Sequence, residues 1–160
     1  MKKVSTEFKV GKNGIGYLWG NFEEKFKGQT FKEVAVPPRA ITLPRDMTDA
    51  QIESELKPGY CTLGDVLAVL KSDDPKYKDG YANLFYFKDT VVSVDWYAGH
   101  GGWVVGAWGR DGIRWYAGHR VFSLVTDQNS DTSKTGSGAL EPSETLPETL
   151  IINGIKYKRV

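Results

Sequence analysis

Apolar and polar side chains alternate along the second half of the chain, in short runs separated by glycine-rich turns. Val92, Val94 and Trp96 alternate with more polar neighbours, which predicts a strand with one apolar face. Turn sequences follow about every ten residues, a spacing typical of a sheet or barrel of short strands. Residues 84–126 are therefore predicted to form an antiparallel meander.

Helical periodicity is found in residues 46–72. Thr48 and Gln51 have the spacing of a capping box, in which the two side chains satisfy backbone groups at the start of a helix. Thr62 and Asp65 repeat this spacing before a run that is apolar on nearly every side, which indicates a buried second helix. The pattern predicts two consecutive helices that pack on the sheet as a hairpin.

The first forty residues are predicted to add further short strands. Asn13-Gly14 suits a type I′ hairpin turn, because both central residues of that turn need a positive φ. It would join strands at 7–10 and 15–18, and residues 30–36 are predicted to form another strand. Residues 4–126 are therefore expected to form one globular α+β domain. Its architecture would be an antiparallel sheet or partial barrel of six or more short strands, with the two-helix hairpin packed on it.

The last part of the chain has a different composition. Residues 127–148 are rich in serine and threonine and contain no aromatic side chain, which predicts a flexible linker. Residues 149–160 turn at Asn153-Gly154 and are predicted to form a C-terminal β-hairpin. Because an isolated hairpin is marginally stable in water, this one is expected to dock on its own domain, on a second copy or on a partner.

Charge and composition narrow the classes of function. The chain has 21 Lys and Arg against 20 Asp and Glu, so its net charge of +1 gives no electrostatic basis for binding nucleic acid or an anionic membrane. No apolar run approaches the length of a membrane helix, and no apolar segment follows the N-terminal lysines as in a signal peptide. The single cysteine fits a reducing compartment. We expect a soluble cytoplasmic protein without a cofactor.

Cys61 is the candidate for catalysis, because it directly precedes the N-cap of the second predicted helix. A helix N-terminus lowers the pKa of a nearby thiol and favours the nucleophilic thiolate. His100 and His119 follow on the predicted sheet, where Asp95 and Asp111 are available to orient an imidazole. This order resembles that of papain-like cysteine peptidases and amidases, and the resemblance implies a cysteine hydrolase or amidase.

A five-residue repeat ends in the two histidines. Trp96-Tyr97-Ala98-Gly99-His100 recurs as Trp115-Tyr116-Ala117-Gly118-His119. In a meander the repeat would place equivalent strand ends on one edge of the sheet, where His100 and His119 would converge. Two histidines with a carboxylate are a ligand set of catalytic metals, but the spacing fits no known metal motif. We therefore predict no metal site. If the protein does bind a metal, His100 and His119 are the expected ligands.

Aromatic side chains provide the leading functional hypothesis, since four of the five tryptophans lie between positions 96 and 115. Trp and Tyr on a sheet can hold sugars, bases or peptides, because each ring offers a large apolar face and a polar group. Alternation turns Trp96 toward the core and leaves the opposite face for a ligand. The predicted ligand-binding residues are Tyr97, Tyr116, Trp108, Arg110 and Arg114.

A non-catalytic binding or interaction module is therefore expected, with a protein, peptide or small molecule as its partner. The first alternative is the cysteine hydrolase or amidase that would use Cys61 with His100 or His119. The second alternative is an assembly protein that exchanges its C-terminal strand between copies of the chain. That exchange would make the protein a homo-oligomer.

Overall fold

The computed structural model describes residues 1–110 and 113–124, in which helices and strands follow one another in mixed order. The helices are α1 (Val4–Glu7), α2 (Gly20–Phe26), α3 (Asp49–Leu56) and α4 (Leu63–Ser72), with short 3-10 helices at Pro75–Tyr77 and Ala98–His100. The strands are β1 (Lys2–Lys3), β2 (Ile15–Leu18), β3 (Thr30–Phe31), β4 (Arg39–Thr42), β5 (Met47–Thr48), β6 (Asn83–Tyr86), β7 (Thr90–Tyr97), β8 (Gly102–Gly109), β9 (Arg114–Trp115) and β10 (Arg120–Ser123).

A six-stranded sheet with the order β2-β8-β7-β6-β10-β4 organises this part of the chain. β7 pairs antiparallel with β6 and β8, and β4 pairs antiparallel with β10, whereas β2 runs parallel to β8 and β10 runs parallel to β6. The expected α+β class is confirmed, but the expected antiparallel sheet is corrected to a mixed sheet. Long stretches of chain join each parallel pair, and such connections permit the parallel direction that a tight hairpin turn forbids.

Two small two-stranded sheets accompany the large one. β1 pairs with β3, and β5 pairs with β9. In the second of these sheets Met47 lies opposite Trp115, and both side chains are buried. β9 therefore leaves the meander that the sequence pattern predicted for it and pairs with the strand that precedes α3.

The large sheet separates two apolar cores. On its first face, Phe22 of α2 and Val66 of α4 pack with Val92 of β7. On its second face, Ile52 of α3 packs with Leu84 of β6. The two consecutive helices α3 and α4 thus belong to different cores, so the expected hairpin packed on one side of the sheet is corrected.

The two predicted capping boxes are both present. The Thr48 hydroxyl accepts a hydrogen bond from the Gln51 N–H at 3.3 Å, and the Gln51 side chain accepts one from the Thr48 N–H at 2.9 Å. Thr62 and Asp65 make the same two bonds at 3.3 and 2.7 Å. These helix starts could be predicted because each one depends on residues three positions apart.

The Asn13-Gly14 turn forms without the hairpin expected around it. Asn13 has a φ of 54° and Gly14 a φ of 78°, as the turn chemistry predicts. No strand forms at 7–10, however: helix α1 ends at Glu7, bends and turns follow it, and the Asn13 side chain donates to the Glu7 carbonyl at 3.0 Å. The strand after the turn, β2, pairs with β8. The turn is therefore predicted correctly, but the expected pairing with residues 7–10 is wrong.

Residues Met1–Leu124 cluster as one compact unit. The expected linker at 127–148 and the expected C-terminal hairpin at 149–160 lie outside the described residues. Within residues 1–110 and 113–124, no helix has the length and apolar character needed to span a bilayer.

A buried carboxylate joins α3 to both the large sheet and the β5–β9 pair. Asp49 Oδ1 accepts a hydrogen bond from the Tyr86 hydroxyl at 2.5 Å and one from the Trp115 indole N–H at 3.0 Å. Tyr86 belongs to β6 and Trp115 to β9, while Asp49 is the first residue of α3. Hydrogen bonds to a charged, buried acceptor are among the stronger ones in proteins, so this carboxylate fixes three elements together.

We expect Tyr86→Phe to lower the free energy of unfolding by about 1–3 kcal/mol, because it removes one donor from a buried carboxylate and keeps the ring. Urea unfolding measures the change. Tyr81→Phe is the control, since Tyr81 is 45% exposed and its substitution should cost less than about 0.5 kcal/mol. Equal unfolding free energies for the two variants would contradict this role of Asp49.

Candidate functional site

Strands β2, β8 and β7 lie side by side at one end of the sheet, and their second face reaches solvent. Asp95 of β7 lies opposite Val104 of β8, and Val104 lies beside Tyr17 of β2. In the next row Ser93 lies opposite Gly106. Residues directly opposite one another share a face of a sheet. Val91 and Leu84 lie on the same face, in the core that also contains Ile52 of α3.

A continuous row of rings, here called the aromatic row, follows this part of the second face. It consists of Trp108, Trp19, Tyr17, His100 and Tyr97. Successive ring centroids lie 5.6, 5.3, 5.0 and 5.0 Å apart. Tyr17 and His100 are stacked, and the other three contacts are edge-to-face. Such distances and angles are those of favourable aromatic pairs, so the rings hold one another in place at the surface.

Glycine at position 106 lets two tryptophans pack closely over β8. A Cβ atom there would come within 2.9 Å of both the Trp19 and the Trp108 indole. The Trp108 indole N–H donates to the Ser93 hydroxyl at 2.8 Å, and the Trp19 backbone N–H donates to the Val105 carbonyl at 2.9 Å. Three neighbouring strands therefore fix the position of these rings.

A second close approach of backbones brings His100 to the row. A Cβ atom on Gly16 would lie 2.1 Å from the His100 carbonyl oxygen, so a residue other than glycine would push the two segments apart. The Trp103 N–H donates to the Gly14 carbonyl at 2.9 Å just beyond this point. As a result, the turn after β7 lies against β2, and the imidazole stacks on Tyr17.

Asp95 carries a poorly solvated charge beside the aromatic row. Its Oδ1 atom is buried and has no hydrogen-bond partner among the described residues. Burial raises the pKa of the Asp95 carboxyl from 3.8 to about 6. Most of this carboxyl is therefore ionised at pH 7, although it has no ion pair with a described cation. Perturbed groups of this kind are found more often at functional sites than elsewhere.

Two of the five predicted ligand-binding residues, Tyr97 and Trp108, belong to the aromatic row. Tyr116 and Arg114 lie elsewhere: the Tyr116 ring is 6.3 Å from the His119 ring, and exposed Arg114 pairs with Thr48. Alternation predicted the exposure of both tyrosines correctly, since Tyr97 is 58% exposed and Tyr116 is 62% exposed. The structure thus separates the two tyrosines of the repeat.

Arg110 has partners within the fold. Its guanidinium forms an ion pair with Glu53 of α3 and donates to the Lys88 carbonyl at 3.0 Å. It also lies 5.1 Å from the centroid of the Tyr86 ring. Only 17% of the side chain is exposed, so Arg110 joins α3 to the turn before β7 and does not present a free guanidinium.

Sequence reasoning missed Tyr17 and Trp19, which supply the middle of the aromatic row. Tyr17 and Trp19 are two positions apart, a spacing that places both rings on one face of a strand. A register shift between Ile15 and Tyr17 leaves Ile15 in the core of the first face. The missing information is the partner of that strand. Pairing with β8 joins residues that are far apart in the chain, and no local pattern reveals it.

Cys61 lies in the core on the first face, on the opposite side of the sheet from the aromatic row. Its Sγ is 3.6 Å from the Phe122 carbonyl oxygen. Burial and the nearby Asp65 carboxylate raise the pKa of the thiol to about 12. The expected lowering of the Cys61 pKa is therefore corrected, because the thiol is buried and because the Asp65 carboxylate already caps the helix start beside it.

The two repeat histidines have separate surroundings and do not converge. His100 stacks on Tyr17, whereas His119 contacts the Tyr81 ring at 5.7 Å and accepts a hydrogen bond at Nδ1 from the Ala82 N–H at 2.7 Å. Three strands lie between β2 and β10, which corresponds to roughly 20 Å across the sheet. Burial lowers the pKa of His119.

In the part of the chain that the structure describes, no three His, Cys, Asp or Glu side chains lie close enough together to hold a metal ion. Asp111, a candidate to orient an imidazole, lies outside the described residues.

Comparison with known proteins assigns no family. Protein-family models, curated proteins and solved structures give no match to this chain. The aromatic row and Asp95 are therefore the features from which a function is inferred.

We expect Cys61 to react with a disulfide reagent such as dithionitrobenzoate at least about a hundredfold more slowly in the folded protein than in urea. The buried thiol forms little thiolate at pH 8, while an unfolded thiol with an ordinary pKa forms a substantial fraction. Stopped-flow absorbance follows the reaction. A folded protein that reacts as fast as free cysteine would support an activated nucleophile instead.

Titration of the Asp95 carboxyl should lower the free energy of unfolding as the pH rises. Its pKa is higher in the folded state than in the unfolded state, so the stability that its protonation contributes is lost as the pH rises from about 4 to about 6. Relative to the wild type, we expect Asp95→Asn to gain about 1–3 kcal/mol of unfolding free energy between pH 4 and pH 7. Urea unfolding at several pH values measures this difference, and a difference independent of pH would contradict it.

Proposed function

We propose that this protein is a non-catalytic binding module that holds its ligand on the aromatic row. The observation that carries the proposal is an unbroken line of rings whose members reach solvent. Tyr17 is 38% exposed, Trp19 42% and Tyr97 58%. Most exposed apolar side chains in proteins are scattered singly, whereas contiguous patches mark interaction sites.

The way in which the rings are held also favours binding. The Trp108 indole is held by its hydrogen bond to Ser93, the Trp19 backbone is held by its bond to Val105, and both rings pack closely over Gly106. A surface that is already rigid loses little conformational entropy when a ligand binds. Rings with two χ angles and a large flat face are suited to such a surface.

A binding role is favoured over the two alternatives drawn from the sequence. The Cys61 thiol is buried on the other side of the sheet with a raised pKa, so its surroundings lend no support to a cysteine hydrolase. The assembly alternative depends on the C-terminal strand, which lies outside the described residues. No observation on the described residues favours either alternative over the binding module.

The proposal is tested with a panel of monosaccharides, disaccharides, nucleosides, alkylammonium ions and proline-rich peptides. Binding is followed by the NMR signals of the indole N–H groups. We expect at least one class of compound to shift the Trp19 and Trp108 signals in a saturable way. We expect Trp19→Ala to weaken that binding by about tenfold or more, as is typical of a central aromatic contact.

The repeat provides a matched pair of controls. Tyr97 and Tyr116 occupy equivalent repeat positions and are similarly exposed, but Tyr97 alone belongs to the aromatic row. Tyr97→Ala is expected to weaken binding, while Tyr116→Ala leaves it unchanged, and both should leave the melting temperature nearly the same. Binding that is insensitive to Trp19→Ala and Tyr97→Ala, or a panel without any ligand for these rings, would refute the proposal.

A further inference from the structure

We propose that the ligand of the aromatic row is an organic cation, and that the Asp95 carboxylate is its counter-ion. This inference rests on the proposed function and deepens it by naming the class of ligand. The chemical group would be a substituted ammonium ion, which combines a positive charge with an apolar surface.

Asp95 lies on the face of β7 that bears the rings. Along β7, Tyr97 lies two residues after Asp95 and Ser93 two residues before it, so all three share the second face. The Ser93 hydroxyl holds the indole N–H of Trp108 at 2.8 Å. Across the sheet, Val104 separates Asp95 from Tyr17 in the same row. Asp95 therefore lies on the same face of the sheet as the rings, between Ser93 and Tyr97 along β7 and separated from Tyr17 by Val104.

The rings and the carboxylate on this face are both complementary to a positive charge. Asp95 Oδ1 is buried without a hydrogen-bond partner, and the carboxylate has no cationic partner among the described residues. A buried charge without a partner costs free energy, and an ionic partner offsets that cost. Aromatic faces attract cations as well, and a desolvated cation–π contact contributes about 2 kcal/mol or more. Rings and carboxylate thus favour the same sign of charge, while an anionic ligand would be repelled.

On the first face, this chain combines a cation, rings and a carboxylate from its own side chains. There the Lys78 ammonium lies 4.2 Å from the centroid of the Trp96 ring and 5.9 Å from that of Trp103. Lys78 is also ion-paired with Asp73, and only 19% of its side chain is exposed. Trp96 and Trp103 pair directly with each other, one position along the strands from Asp95 and Val104. The second face has equivalent components, rings and a carboxylate, in the part of the chain that is described.

An inorganic cation fits this site less well. Calcium binds six to eight oxygen ligands, and magnesium requires a near-octahedral set of oxygens. The described residues place no three metal-ligating side chains together, so Asp95 would have at most one other His, Cys, Asp or Glu beside it as a ligand. Aromatic rings, by contrast, replace part of the hydration shell of an alkylated ammonium group but not that of a hard metal ion.

The experiment compares choline with 3,3-dimethyl-1-butanol, which has the same shape with a carbon in place of the charged nitrogen. Both are titrated into the full chain at pH 7.5 while the indole N–H signals of Trp19 and Trp108 are followed by NMR. We expect choline to bind at least tenfold more tightly than the neutral alcohol. This comparison uses the unmodified protein, so it does not depend on the folding of any variant.

Asp95→Asn tests the counter-ion directly. We expect this variant to bind choline about as weakly as the neutral alcohol and to bind the alcohol as the wild type does. Lys78→Gln is the matched control on the first face, and it should leave choline binding unchanged. Trp19→Ala should weaken the binding of both compounds, because both contact the rings.

The outcomes distinguish this inference from the proposed function. Equal binding of choline and the alcohol, or choline binding that survives Asp95→Asn, overturns the organic cation and leaves the aromatic row as a site for neutral ligands. Absence of choline binding overturns the cation as well, while the neutral members of the wider panel then decide the proposed function. Choline binding that is insensitive to Trp19→Ala overturns both.

Discussion

The parallel pairing of β2 with β8 is the constraint on which the surface features of this protein depend. It is held by backbone hydrogen bonds such as that from the Trp19 N–H to the Val105 carbonyl. It is possible because Gly16 allows the backbone around His100 to approach closely. Without this pairing, Tyr17 and Trp19 would have no fixed place beside Trp108. The aromatic row is thus a property of the sheet edge and of no single loop or strand.

Features that depend on neighbouring residues could be predicted from the sequence. The capping boxes at Thr48 and Thr62 involve residues three positions apart, and alternation assigned Trp96 to the first face and Tyr97 to the solvent side. Features that depend on distant residues could not. Examples are the parallel direction of β2, the pairing of β9 with β5, and the positions of α3 and α4 in different cores. These features depend on which surfaces bury one another, and strand patterns alone do not specify the partner.

In the candidate site, too, local features could be predicted and features that depend on distant residues could not. Tyr97 and Trp108 were found because parity along one strand is a local property. The position of Arg110 in the sequence predicts a place near the rings, but the fold places Glu53 and the Lys88 carbonyl within reach of its guanidinium. Asp95 had no sequence signal beyond its charge, since its unusual surroundings arise from the side chains of three strands.

The distance along the chain between β2 and β8 also has a kinetic consequence. Closing a long loop costs entropy before any contact is gained, and pairings between distant segments slow folding. The capping boxes and the β6–β7–β8 meander need only short loops, so we expect them to form earlier than the β2–β8 edge. The aromatic row would then be complete only in the last stage of folding, and a ligand bound there would stabilise the finished protein selectively. Occupancy of the row would therefore report on how much of the chain has reached its native state.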